Sequence, residues 1–323
     1  APQDWDPIIG RIKEREGIQI VLLGESTHGT HQFYAQRMEL SKRLIQECGF
    51  RAILVEGDWP DSYRVNRYIR GMGDDLDAEE SLGSFGRFPT WMWRNADVLE
   101  LVSWLEDYNQ DRPGAQQVGF YGLDLYSMYT SIEAVINYLE QVDPQAAEEA
   151  RERYSCFDVY SGQSQRYGRS VALGVSEPCR HEAIAQLTKI RSDLRRYTGE
   201  WEFDDMEEWL GATENARAVV NAEEYYRSMF SDPTGSWNLR EKHMADSLDF
   251  LLAHLNDHQH PARVIVWAHN SHVGDSRATD MGSRGEYTLG RYARERHGEN
   301  KTTLVGWSTY SGTVTAAQDW DMP

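Results

Sequence analysis

Five short apolar runs recur along this chain: Ile18 to Leu23, Ala52 to Val55, Val118 to Tyr121, Val264 to Trp267 and Thr303 to Val305. Each is bounded by polar residues or glycine. Runs that are apolar throughout, rather than alternating, suit strands covered on both faces. Between the first two, Gln32 to Cys48 places Leu40, Leu44 and Cys48 at four-residue steps, and Gly49 supplies a stop. Strand, helix, strand is the repeating unit of a parallel sheet. The expected fold class is therefore α/β, with a mostly parallel central sheet flanked by helices.

From about Ser131 to Leu255 the pattern changes to helices with almost no strand signal. Ile132, Val135, Ile136 and Leu139 fall at i, i+3, i+4 and i+7, as do Leu248, Leu251, Leu252 and Leu255. We expect residues 1–130 and 256–323 to form the sheet core, and 131–255 to form an α-helical insertion next to an active-site cleft. A chain of 323 residues can bury a core of that size.

A formal net charge of -19 argues against nucleic-acid and anionic-membrane partners, because both are held by clusters of Lys and Arg. No stretch approaches the roughly 20 consecutive apolar residues of a membrane span. The N-terminus lacks the basic and apolar regions of a signal peptide, although Ala1 need not be the natural start. Cys48, Cys156 and Cys179 are odd in number and lack CxxC spacing, so neither a disulfide framework nor a thiolate zinc site is expected. A cytoplasmic location fits that reading.

Open parallel sheets bind ligands outside the carboxyl ends of their strands. The first predicted strand ends in Glu25 with His28 beyond it, the second in Glu56, the third in Asp124, and the fourth in His269 followed by His272. Glu25 and His28 are three residues apart, as are His269 and His272, so each pair can face one space. A lone histidine or strand-end carboxylate is more often structural. Several ionisable groups gathered at one edge are costly to bury without a task. Asp124 could equally cap a loop or helix.

The run Gly24-Glu25-Ser26-Thr27-His28-Gly29-Thr30, with Phe33-Tyr34 and Arg37, then Val55-Glu56-Gly57, and later Trp267-Ala268-His269-Asn270-Ser271-His272, resembles the erythromycin esterase family. The closing Gly306-Trp307-Ser308-Thr309-Tyr310 and Gly312-Thr313-Val314-Thr315-Ala316-Ala317 are similar to it too. The resemblance implies a hydrolase in which water, activated by a histidine general base, attacks an ester or lactone carbonyl. By motif position the base is His28 and its carboxylate partner Glu25, supported by Arg37, Glu56, His269 and His272. Unperturbed imidazole, with a pKa of about 6.5, suits that role, and a cationic neighbour can stabilise the oxyanion. Arg37 follows His28 by nine positions, so the two meet only if the helix begins after Gly29.

The segment Arg87-Phe88-Pro89-Thr90-Trp91-Met92-Trp93-Arg94-Asn95 looks like that of the broader branch of the family rather than of macrolide-resistance enzymes. It leaves the substrate open between a macrolide and another small-molecule ester or lactone. Trp91, Trp93 and Arg94 are candidate substrate-binding residues beside Asp124, with aromatic core packing the alternative for the tryptophans. Family members usually continue beyond the point where this chain stops.

Other readings compete. A serine hydrolase would use Ser26 or Ser271, but neither lies in a Gly-x-Ser-x-Gly elbow. No cofactor is expected on the base reading; alternatively Glu25, His28, Glu56, His269 and His272 could hold a divalent metal ion, without the His-Glu-x-x-His pattern. A non-catalytic binding protein of the same fold is the third reading. The acidic stretches Asp74 to Glu80 and Glu200 to Glu208 lack an EF-hand pattern and read as solvated surface.

Overall fold

In the computed structural model of the chain, residues 5–15, 17–160, 162–193, 196, 203–256 and 261–318 are described. Five strands form one sheet: β1 (Ile20–Leu23), β2 (Ala52–Asp58), β3 (Gly119–Asp124), β4 (Val264–Trp267) and β5 (Thr302–Val305). Their order is β3-β2-β4-β1-β5, and every pairing is parallel. The runs read from sequence as strands are these five. β1 and β4 are in register from Ile20 with Val264 to Leu23 with Trp267. All five carboxyl ends consequently meet along one edge.

Both faces of the sheet are covered, which explains the unbroken apolar runs. On one face the helices His31–Cys48 and Ala96–Asn109 pack Phe33, Leu40, Leu44, Leu101 and Leu105 against Val21, Leu23, Ile53 and Val55. Gly49 ends the first of these helices with a left-handed φ of 70°. On the other face the helix Pro233–Leu255 lays Leu248, Leu251 and Leu255 against Ile20, Leu22, Leu54 and Val264.

From Met128 to Leu255 the described chain is helical or irregular, with no strand. A separate apolar cluster of Leu139, Tyr154, Tyr167, Ile190, Trp209 and Val219 holds the helices of this stretch together.

β2 and β3 are not in simple register. A bulge lies between Val55 and Asp58, and beyond it Asp58 pairs with Asp124. The bulge leans on Gly122. A Cβ there would stand 2.5 Å from the Gly57 carbonyl oxygen and 2.6 Å from that of Asp58. Bulges re-aim side chains, and this one carries Glu56 to the sheet's edge.

Two expectations are corrected. Cys156 and Cys179 are joined as a disulfide with Cα atoms 6.1 Å apart. They sit 23 residues apart in sequence, with the helix Ser164–Ala172 between them. The bridge removes the argument for a reducing compartment, which rested on cysteine pattern alone. Glu207, expected on a solvated surface, is fully buried: its carboxylate accepts hydrogen bonds from the Tyr121 hydroxyl (3.0 Å) and pairs with His254 Nε2 (2.6 Å). Residues 200–202 of that acidic stretch lie outside the described residues. No described helix is long and apolar enough to cross a membrane.

Candidate active site

The loop after β1 carries the first half of the site. His28 Nδ1 lies 2.9 Å from Glu25 Oε1, and Arg37 donates to Glu25 Oε2 at 2.6 Å. The helix bearing Arg37 begins at His31, after Gly29, as its role requires. Glu25 and Arg37 are fully buried, whereas the His28 side chain keeps 29% exposure. The Arg37 guanidinium lies 4.6 Å from the ring centroids of both Tyr34 and Trp267. Its Nε and NH1 have no hydrogen-bond partner among the described residues. These rings supply the cation–π contact that partly replaces water. The Tyr34 hydroxyl in turn donates to the His28 main-chain carbonyl at 2.9 Å. With Nδ1 facing a carboxylate, the fitting tautomer carries its proton there and leaves Nε2 as acceptor.

The second half is a charged network across several elements. One Glu56 oxygen accepts from the His269 main-chain N–H at 2.8 Å. The other meets Arg240 NH2 at 3.0 Å and His272 Nε2 at 3.1 Å. Arg240 also donates to both oxygens of Asp124, at 2.9 and 2.6 Å. His272 Nδ1 pairs with Glu241, whose other oxygen accepts from the Leu289 main-chain N–H at 2.7 Å. The His272 ring stacks on Trp237 with centroids 4.9 Å apart.

Electrostatics assigns the protons. Burial opposes the His272 imidazolium, yet the Glu241 and Glu56 carboxylates on its two sides outweigh that cost and push it up to about 10. Burial also raises Glu241, but an imidazolium is the form in which both ring nitrogens donate to the carboxylates beside them. Burial works against the Glu56 charge as well, but His272 and Arg240 hold its carboxyl well below the usual range. His269 goes the other way, since burial lowers it. It is neutral, with its ring on the main-chain carbonyl of Ser26 and Nδ1 capping the short helix Asn270–Val273 by accepting from the Ser271 N–H at 3.1 Å.

Both halves border one cavity of about 910 Å³, lined by His28, Glu56, Asp124 and Arg240 together with Phe88, Met92, Tyr126, Tyr225, Tyr226 and Met229. Its size falls in the usual range for small-molecule sites. Arg87 also reaches it, with Nε 2.8 Å from Asp58 Oδ2. Tyr126 lies between the two guanidiniums, 4.4 Å from Arg87 and 4.9 Å from Arg240.

The strand-end residues Glu25, His28, Glu56, Asp124, His269 and His272 are thus brought together. Trp93 and Arg94 are not gathered with them. Trp93 is buried beneath the site, where its Nε1 donates to the Glu56 carbonyl at 3.2 Å, so it supports β2 rather than walling the cavity. Trp91 lines a smaller neighbouring cavity. Arg94 closes the turn Thr90–Met92 through its main-chain N–H, 3.0 Å from the Thr90 carbonyl, and its side chain is exposed, on neither cavity.

The residues missed from sequence are Arg240, Glu241, Arg87 and Tyr126. Arg240 and Glu241 sit mid-helix in Leu239-Arg240-Glu241-Lys242, where charges ordinarily mark a solvated face; only the contacts reveal them. Ser271 places its hydroxyl 2.9 Å from His269 Nδ1, but that nitrogen already accepts the Ser271 N–H and has no carboxylate behind it. The five alternative metal ligands fit a cation poorly. Both Glu25 oxygens and both Glu56 oxygens are bonded to protein partners, as are both ring nitrogens of His272. Among the described residues no group of three or more His, Cys, Asp or Glu is arranged to hold a metal ion.

Erythromycin esterase type II of Escherichia coli is 24% identical over 311 residues, spanning 92% of this chain and 70% of that protein. Two solved structures share the fold. One is a succinoglycan biosynthesis protein, with a TM-score of 0.68 and 22% identity over 94% of this chain and 69% of that one. The other is a histidine-to-asparagine mutant of erythromycin esterase EreC in its open conformation, with a TM-score of 0.64 and 19% identity over 94% of this chain and 73% of that one. At such identities the two structures speak for the fold alone. The model of the erythromycin esterase family matches residues 45–323, which supports a hydrolase. The chain belongs to the erythromycin esterase family.

Proposed function

We propose that this protein hydrolyses a small-molecule ester or lactone, using His28 as general base on a water molecule, without a metal ion. The observation that carries the reading is the Glu25–His28 pair at the wall of the 910 Å³ cavity, with Nδ1 tied to a fully buried carboxylate and Nε2 left as acceptor. In the reaction His28 Nε2 takes a proton from water, and the water oxygen bonds to the acyl carbon. The acyl C–O bond then breaks, and the same proton passes to the departing alkoxide, giving an acid and an alcohol. Glu25 holds the ring's orientation and stabilises the imidazolium that forms. Arg37 holds the other oxygen of that carboxylate in place at 2.6 Å.

The charge developing on the carbonyl oxygen is met by Arg240 on the same cavity, whose guanidinium is fixed by Asp124 and Glu56 before substrate arrives. Preorganised charge of this kind acts without reorganising during the reaction. His272, as an imidazolium, holds Glu56 from behind. His269 tethers Glu56 through its main-chain N–H and the Ser26 carbonyl through its ring. The engagement of every Glu25 and Glu56 oxygen by a protein partner favours base catalysis over the metal-dependent alternative.

The test is mass spectrometry of products from a panel of macrolides, simpler lactones and acyclic esters in ¹⁸O water, run with and without a chelator. One ¹⁸O in the acid product is expected with the native protein, indifferent to chelator, with product formed about 10²–10⁴-fold more slowly by His28→Ala. Near-normal turnover by a folded His28→Ala protein, or loss of activity to the chelator, would overturn the reading.

A further inference from the structure

His28, Phe88 and Pro89 border two cavities, the one of about 910 Å³ and a second of about 310 Å³. The second is walled by Thr27, Gly29 and Trp91, and by Thr315, Ala316 and Ala317. That wall is a built contact. The Thr315 N–H donates to the Gly29 carbonyl at 2.9 Å. A Cβ on residue 29 would stand 2.0 Å from the Thr315 carbonyl oxygen, so a glycine is needed for the two segments to lie this close. Trp91 meets Phe88 edge to face, with centroids 5.4 Å apart.

The two cavities differ in chemistry. Glu56, Arg87, Asp124 and Arg240 line the larger, whereas His28 is the only titratable group among the described residues lining the smaller. The Phe88–Pro89 segment stands between them, and His28 is the catalytic group that reaches both.

We propose that the smaller cavity is a second substrate subsite, which takes the compact apolar arm of an acyclic ester while the bulkier polar arm occupies the larger cavity. The inference rests on the reading of His28 as base, since it sets the scissile carbonyl at the junction, beside Nε2. An open chain can cross the Phe88–Pro89 ridge. A small lactone ring cannot lay its two arms on opposite sides of it.

Two series of esters test this, one lengthening the acyl arm and one the alkoxy arm, each with a series of inert ketone isosteres whose binding is measured by calorimetry. In the native protein one ester series should gain in kcat/KM with each added methylene until the subsite is full, by no more than the roughly fourfold that complete burial of one CH₂ supplies. The matching ketones should gain affinity in step. Ala317→Trp should abolish both gains, and Trp91→Ala should move the preferred chain length upward. Ketone affinities that do not vary with chain length, or a dependence that Ala317→Trp leaves within twofold of the native protein, overturn the subsite even if esters are hydrolysed. If no ester is turned over while the ketones keep a length dependence that Ala317→Trp removes, the subsite stands and the base reading fails.

Discussion

The two walls of the larger cavity each hold a histidine against carboxylates, yet they give the imidazoles opposite tasks. His28 faces one carboxylate, Glu25, whose charge is shared with Arg37, and it keeps contact with the cavity. His272 is buried between two carboxylates, Glu241 and Glu56. The first arrangement leaves a ring nitrogen free to accept a proton, and the second holds the proton through neutral pH. Residue type says little about role here; the number of acids around the ring and their other partners decide it.

Replacing single members of each wall tests that contrast. His28→Ala should reduce kcat by about 10²–10⁴-fold, the usual contribution of a general base, while the far-ultraviolet circular dichroism stays native. A loss below tenfold would place the base elsewhere. Arg240→Ala should lower kcat by about 10²–10³-fold, as loss of the oxyanion partner does, and should also lower stability, because it leaves Asp124 and Glu56 buried without their shared counter-charge. Breaking a buried pair from one side costs about 3–5 kcal/mol, readable as a lower urea midpoint. If the midpoint hardly moves, the network is more hydrated than its burial indicates.

The imidazolium of His272 gives a pH signature. Its folded pKa, about 10, exceeds the unfolded value of about 6.5. The stability it contributes is complete below pH 6.5 and is lost as pH rises towards 10. Urea midpoints taken across that window should fall in the native protein, and His272→Gln should flatten the decline. An equal slope in both would mean that other groups cause it. The smallest effect belongs to Trp93→Phe, which removes one hydrogen bond to the Glu56 carbonyl and should cost about 1 kcal/mol in the same assay.

The sheet was legible because burial on both faces demands unbroken apolar runs, and all five strands lie where those runs are. Glu25, Glu56, Asp124, His269 and His272 were legible for a related reason, since in a parallel sheet the residues that end strands share an edge. Arg240 carries no such mark. It lies 116 positions from Asp124, on a helix whose charged faces look alike from sequence. Trp91 and Trp93 show the limit at short range. Two positions apart in one irregular segment, they part company because Trp93 hydrogen-bonds to β2 while Trp91 stays at the surface of the smaller cavity. Cys156 and Cys179 were illegible because helices of unknown packing separate them.

The bend in β2 has a counterpart on β3 that consists of missing atoms. A methyl group at Gly122 would collide with two carbonyls, so the neighbouring strand could keep its kink only by moving away. Any lineage that fills this vacancy must straighten the strand and draw Glu56 back from the His269 amide and the Arg240 guanidinium. A residue that touches no substrate and bears no functional group thus governs where the charges of the site stand, and its replacement by alanine is a silent-looking change with a distant cost.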